Sequence, residues 1–364
     1  VITVSDTARA ALSGSWTYYL NVQSWLGDQL LATNVPVDAG SEETDRSLRV
    51  PERVTLTVPK KAAGTDWTPT AATSPLAANG QTLKISLGIG KGPDGIEWFQ
   101  RGEYLIHETK EGDDGLTLAV TAVGLLALID EAKFIAPFQP TGTFRETVRS
   151  LVEPALTVDV SAAPTDRSAG SVGAFDTDRL AGLYELIDAW PAASRMNAGG
   201  YLEIIPDVAP TAADVVRTFS TAAGGTVIVA SGESTREGAF SAVLVTGYAA
   251  DGTEVRGVRY VPSGPWAYPA GAANPLPVPW TFASPFMTSQ QICSAVAEVL
   301  LRRKVREAIS QRYEITAVPD PTLEIGDVVT ITTDHVTDLL CTVERISLPY
   351  FPTGPMGVTV ASVS

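Results

Sequence analysis

Short apolar runs of alternating character, each stopped by glycine, proline or aspartate, recur at both ends of this chain and constrain its fold more than any other feature. In VPERVTLTVP, residues 50–59, Val54, Leu56 and Val58 fall on one face while Pro51 and Pro59 bracket the run, the pattern of a half-buried strand. TLKISLGIG repeats it with Leu83, Ile85 and Leu87, and GKGPDG (90–95) supplies the next turn. In SWTYYLNVQSWLGDQLL the pair Gly27-Asp28 parts two apolar-rich runs, a hairpin signal. IEWFQRGEYLIHETKEGDDGLTLAVTAVG then reads strand, turn, strand, turn, strand. Strands this short and this evenly spaced predict a closed or nearly closed β-barrel over residues 1–133. KKAAGTDWTPTAATSPLAANG (60–80) interrupts it as a long loop of the kind that is usually functional or touches a partner.

From residue 134 the period changes to that of helices. TFRETVRSLVEP places Thr143 and Glu146 at capping-box spacing, presents Phe144, Val148, Leu151 and Val152 on one face and stops at Pro154. DTDRLAGLYELIDAWP repeats Leu180, Leu183, Tyr184 and Ile187 before Pro191, and GGYLEIIPD follows as a strand. Residues 134–215 therefore read as a small mixed α/β unit. Strands resume at TVIVASG, FSAVLVTGYAADG and TEVRGVRYVP, with Ala250-Asp251-Gly252 turning the last two. VPSGPWAYPAGAANPLPVPWTFASPF (261–286) is too rich in proline to be regular. A long helix closes the 216–308 segment. Thr288 and Gln291 would cap it, Ile292, Val296, Val299 and Leu300 would be buried, and Arg302, Arg303, Lys304 and Arg306 suit its C-terminal dipole. Residues 309–364 end in RYEITAV, GDVVTIT, LLCTVERISL and GVTVASV, a second small barrel in which Gly326-Asp327 sends Val329 and Ile331 inward and Val328 and Thr330 outward. The fold class is mainly β with α+β inserts: two small β-barrels flanking a mixed α/β middle.

Composition narrows the function. At 364 residues, two to four compact units are expected. The formal net charge of −15 argues against a nucleic-acid binder, which needs clustered Lys and Arg on phosphates. The opening VITVSDTARAALSG has no basic segment before an apolar one, so no signal peptide is expected. LTLAVTAVGLLALI (116–129) falls short of the roughly 20 apolar residues that cross a bilayer; it reads as a buried strand running into a turn or short helix. Cys293 and Cys341 stand far apart, outside any metal-binding spacing, as small core residues.

Catalytic signatures are missing. His107 sits in a strand and His335 in a polar turn, without HExxH or a Cys/His cluster. GIGKGPDG departs from the Walker pattern because Gly92-Pro93 follows the lysine, and SGESTREG lacks the elbow spacing that would make Ser234 a nucleophile. Glu42, Glu43, Asp45, Asp113, Asp114, Asp130 and Glu131 read as solvated acidic turns. No catalytic residue, cofactor or metal is expected. Trp266, Tyr268, Trp280, Phe282 and Phe286 crowd one proline-rich segment. They either pin that loop to its own domain or form an interface, where Trp and Tyr are enriched as anchors.

RYEITAVPDPTLEIGDVVTIT, followed by CTVERISLPY and GVTVAS, resembles the C-terminal barrel of phage tail hub proteins. Pro321, Gly326, Asp327, Val329 and Ile331 match their recurrent turn. YLNVQSWLGDQLLATNVPVDAG, DRSLRVPERVTLTVP, GIEWFQRGEYLIHETK and LTLAVTAVGLLALIDEAKF are similar to the N-terminal hub barrel of actinobacteriophage tail proteins, and MTSQQICSAVAEVLLRRKV sits where that family has a helix. The resemblance spans about residue 15 to 362. It implies a non-enzymatic hub of a virion tail tip or baseplate, akin to contractile-phage hubs and secretion-system spikes. Three copies would form a pseudo-sixfold ring between a distal tail or tail tube protein and threefold tip components. The other expected partners are a tape measure protein, receptor-binding proteins, and DNA passing without specific binding. A receptor- or carbohydrate-binding virion protein and a cell-wall polysaccharide hydrolase are the alternatives.

Overall fold

Alternation and turns produce a largely antiparallel framework. A computed structural model of the chain describes residues 2–363 except 13, 15, 16, 170–173, 234, 235, 237, 309, 310, 352 and 353. A short helix, α1 (Asp6–Leu12), lays Ala8 and Leu12 against Ile89. Then come β1 (Tyr18–Leu26), β2 (Gln29–Ala32), β3 (Ala39–Asp45), β4 (Glu52–Pro59), a two-rung hairpin of β5 (Lys61–Ala62) and β6 (Thr65–Asp66), β7 (Gln81–Gly90), β8 (Ile96–Glu111) and β9 (Thr117–Gly124). The middle contributes α2 (Leu126–Glu131), α3 (Phe144–Val152), β10 (Val158–Asp159), α4 (Arg179–Ala189), β11 (Ala192–Met196) and β12 (Leu202–Pro206). β13 (Val215–Ser220), β14 (Val227–Glu233), β15 (Ala242–Tyr248), β16 (Glu254–Tyr260), β17 (Pro279–Ala283) and α5 (Gln290–Ala308) follow. The C-terminal strands are β18 (Arg312–Ala317), β19 (Val328–Thr332), β20 (Leu339–Pro349) and β21 (Met356–Ser362).

The two ends of the chain meet in a single thirteen-stranded sheet, ordered β2-β1-β7-β8-β9-β4-β3-β20-β21-β18-β14, with β19 on β20 and β13 on β19. The mainly β class with α+β inserts holds. Among the described residues no strand ladder closes either group into a complete barrel, but in the first group the segment after β2 spans the gap, the Val35 amide donating to Val22 O of β1 and the Asp38 amide to Thr57 O of β4, so that group is nearly closed. The two groups join edge to edge. β20 makes the join because it is long enough to serve two partners along one edge. Leu339–Thr342 pair with β19, Arg345–Pro349 pair with β3, and β21 takes the opposite edge. One core runs beneath both groups, including Val54, Leu56, Ile85 and Leu87 from the first and Phe219, Val329, Ile331 and Val343 from the second. Val54, Leu56 and Val58 are fully buried or nearly so, as their alternation demands. Val328 departs from it: it is 8% exposed rather than outward-facing, because parallel β13 covers it with Val215 opposite.

A second core gathers the helices with two small sheets, β10-β12-β11 and β16-β15-β17. The Thr143 hydroxyl accepts the Glu146 amide while the Glu146 carboxylate accepts the Thr143 amide, so the capping box opens α3 as the sequence dictates. Phe144 packs its ring 5.6 Å from Trp190 and 5.4 Å from Phe286. Three readings in this region change. Ser289, not Thr288, caps α5, accepting the Ile292 amide through its hydroxyl. The buried stripe of that helix turns by one residue onto Cys293, Val296, Ala297 and Leu300, leaving Ile292 and Val299 half-exposed. The proline-rich segment contains a strand after all, since β17 adds in parallel to β15 with Trp280 opposite Val243; proline at its first residue costs no internal rung.

Truncating the fully buried Phe144 to alanine empties the centre of the second core. Urea unfolding is expected to show a loss of about 3–5 kcal/mol, in the range for a buried aromatic.

Candidate functional site

The junction between the strand groups is built around a buried charge. Glu42 lies on β3 opposite Leu348 of β20 and Arg101 on β8. Neither is more than 7% exposed. Arg101 donates from Nε to Glu42 Oε2 and from Nη2 to Oε1, both at 2.9 Å, and from Nη1 to the carbonyls of Leu323 at 2.7 Å and Pro321 at 3.3 Å. Tyr350 Oη donates to Glu42 Oε2 at 3.2 Å and Thr44 Oγ1 to Oε1 at 3.1 Å. Burial opposes the charge on Arg101, but the adjoining Glu42 carboxylate outweighs it and raises the guanidinium pKa further. Burial and then Glu42 push the Tyr104 hydroxyl well above its ordinary value. Glu42 is thus no solvated turn residue, as its acidic neighbourhood suggests, but half of a bidentate ion pair in a strand. Glu43 and Asp45 share that strand, on its more exposed positions.

The segment DPTLEIGDVV explains its own punctuation. Asp320 Oδ1 accepts the Thr322 amide and hydroxyl, and Oδ2 accepts Arg217 Nη1 of β13 at 2.6 Å. That turn presents the carbonyls of Pro321 and Leu323 to Arg101. Gly326, at φ +82°, adopts a left-handed conformation that a side chain would strain, and its amide donates to Val343 O. Asp327 Oδ2 accepts the Glu324 amide.

Behind the junction a cleft of about 760 Å³ runs toward the helical core, lined by Arg49, Glu52, Arg195, Asp188, Arg303 and Asp327 among others. Arg303 fastens α5 to the far wall, donating to Asp207 Oδ2 at 2.7 Å, to Asp188, and to Ala192 O at 2.6 Å. Arg49 bridges Asp130 and Asp178, and the bond from Arg49 holds the Asp178 carboxyl down at about 2. Glu52 is the exception to this pairing. Its Oε2 is buried without a hydrogen-bond partner, beside the Gly124 backbone. Burial, with a smaller push from Glu42, raises its pKa from 4.5 to about 7.

His107 and His335 are both exposed, Cys293 and Cys341 are buried thiols, and Ser234 lies outside the described residues. Among the described residues, no three His, Cys, Asp or Glu side chains gather as a metal site would require, and no helix is long and apolar enough to cross a membrane. Trp266, Trp280 and Phe282 lie half-buried on the second core. Arg236 sits 5.0 Å from the Trp266 ring and Lys304 5.2 Å from that of Trp280, which stacks on Phe282. Tyr268 pairs with Tyr260 at 5.1 Å, and its amide donates to Val261 O. Three of the four aromatics thus meet one core, while the charged junction escaped sequence reasoning. The one clue was Arg101, a charge inside the strand read from IEWFQRGEYLIHETK.

Comparison with solved structures places this architecture. The chain aligns over 94% of its length with 96% of the tail protein from Neisseria meningitidis MC58, at 12% identity and a TM-score of 0.64. The prophage MuSo2 43 kDa tail protein from Shewanella oneidensis gives 0.59 at 12% identity, with 93% of this chain and 97% of that one covered. Prophage tail protein gp18 from Listeria monocytogenes EGD-e gives 0.56 at 10% identity, with 94% of each covered. No family model matches the chain and no curated protein matches it. The chain has the fold of these phage tail proteins.

Three variants test the site. Arg101→Met leaves Glu42 buried and uncompensated and is expected to cost about 3–5 kcal/mol in chemical denaturation, whereas Arg101→Met with Glu42→Leu recovers most of the loss. For Glu52 the folded pKa lies above the unfolded one. The folded state therefore holds the extra proton, and stability falls as pH rises from 4.5 to about 7, by at most about 3 kcal/mol. Subtracting the pH profile of Glu52→Gln from that of the parent should isolate this slope; parallel profiles would refute it.

Proposed function

We propose that this chain is the structural hub of a phage tail tip or baseplate, acting as adaptor and conduit without catalysis. The observation that carries the reading is the end-to-end match to tail proteins, whose fold this chain shares over at least 93% of its length in each of the three cases. In this reading three copies form a ring in which N-terminal and C-terminal strand groups alternate, so that threefold symmetry on one side meets a hexameric tail tube or distal tail protein on the other. A closed ring needs heterologous contacts that return to their start. The internal join of β3 to β20 gives each copy one such alternation already. Tape measure and receptor-binding proteins meet the ring at its two ends, and the half-buried Trp266, Tyr268, Trp280 and Phe282 contribute anchors to those contacts.

DNA would pass through the ring without being held, since the net charge of −15 repels phosphate. Carbohydrate binding is less well supported, because Trp266 and Trp280 lean on the protein's own core with cations over their rings.

Electron microscopy of the assembly containing this chain should show three copies around a channel with six similar lobes. A copy number of one or two per particle, or a strongly basic bore, would overturn the reading.

A further inference from the structure

The main sheet ends on three strands whose outer edges are unpaired among the described residues, β2, β13 and β14. β14 is the most exposed. Ile228 is 61% and Val229 56% exposed, its neighbours on β18 cover one edge only, and from Val227 to Gly232 it carries no charge and no proline. Soluble proteins blunt such edges with lysine, proline or a covering loop, because a bare apolar strand recruits another strand. β2, at the far end, exposes Leu30 at 40% and is followed by residues that keep close to β1, with the Val35 amide donating to Val22 O.

We infer that β14 of one copy adds as a strand to β2 of the next, extending the sheet across the boundary between copies. The argument for a second copy rather than another protein is the arrangement of the ends. β2 belongs to the N-terminal strand group and β14 pairs with the C-terminal group. Inside the chain the two groups already join edge to edge through β3 and β20. Joining β14 to β2 of a neighbour repeats that alternation, is heterologous, and satisfies the β2 and β14 edges together when the ring closes, leaving the edge of β13, whose side chains are mostly half-buried, outside the contact. The inference rests on the ring reading above and adds the contact that makes it.

The test uses the full chain with p-benzoylphenylalanine in place of Val229, mixed as isotopically light and heavy copies and irradiated. Light-to-heavy adducts on residues 29–35 are expected, and Val229→Lys or Leu30→Lys should each shift the native mass from three copies to one with an unchanged circular dichroism spectrum. If three copies persist in both lysine variants and adducts fall elsewhere, the strand contact is wrong and the ring stands. A parent protein that stays at one copy and yields no intermolecular adduct overturns both.

Discussion

Everything in the main sheet turns on where Arg101 puts its donors. β9 and β4 lie between β8, which carries Arg101, and β3, which carries Glu42. At about 4.8 Å per strand, a flat sheet would hold those two strands about 14 Å apart. Extended Arg and Glu side chains could just span that gap, but β4 and β8, two strands apart, bring Cα atoms within 8 Å of each other, so the sheet curls and the buried 2.9 Å pair lies across its concave side. The first strand group is curved like a barrel although, among the described residues, no complete strand ladder closes it. Side-chain chemistry takes the place of the missing rungs, and its remaining donors reach over to the carbonyls of Pro321 and Leu323. A bidentate guanidinium–carboxylate pair is stiff in direction as well as strong, so it fixes how the late turn sits against the early strands.

That geometry also explains the cleft. The second core hangs from the sheet through β9 and α2 on one side and through α5 on the other, and Arg303 ties α5 back to Asp188 and Asp207. The walls are thus pinned by ion pairs at both ends, Arg101 on the sheet and Arg303 on the helix. Glu52 sits between them with one unanswered oxygen. A buried oxygen left unsatisfied is costly, and here two charged clamps hold the walls of the cleft that contains it.

Local patterns were legible in the sequence and long-range ones were not. The strand at Val54–Val58, the hairpins at Gly27-Asp28 and Asp251-Gly252, and the capping box of α3 depend on residues a few positions apart, and all appear where they are read. The join of β3 to β20 pairs residues some three hundred positions apart; nothing in AGSEETD, with three carboxylates in seven residues, announces a central strand. β13 was invisible for the same reason, since it is made a strand by its parallel partner β19. Gly326 is the intermediate case. Its turn could be read, but that the turn serves Arg101 could not.

The acidity of the chain separates into two parts once its carboxylates are placed. Asp66, Asp114, Asp159 and Asp251 each accept the amide of the residue two positions on, and these bonds hold their pKa values below the ordinary range. They are turn-makers, needed wherever a β-rich chain reverses, and would be there whatever passed nearby. Asp45 and Asp320 do the same work at the two ends of the junction. The net charge of −15 therefore reflects in part how often the chain turns. Other carboxylates are fixed on strand faces without a turn to close, as Glu43 is, exposed and 4.0 Å from Arg345 on the strands that join the two groups.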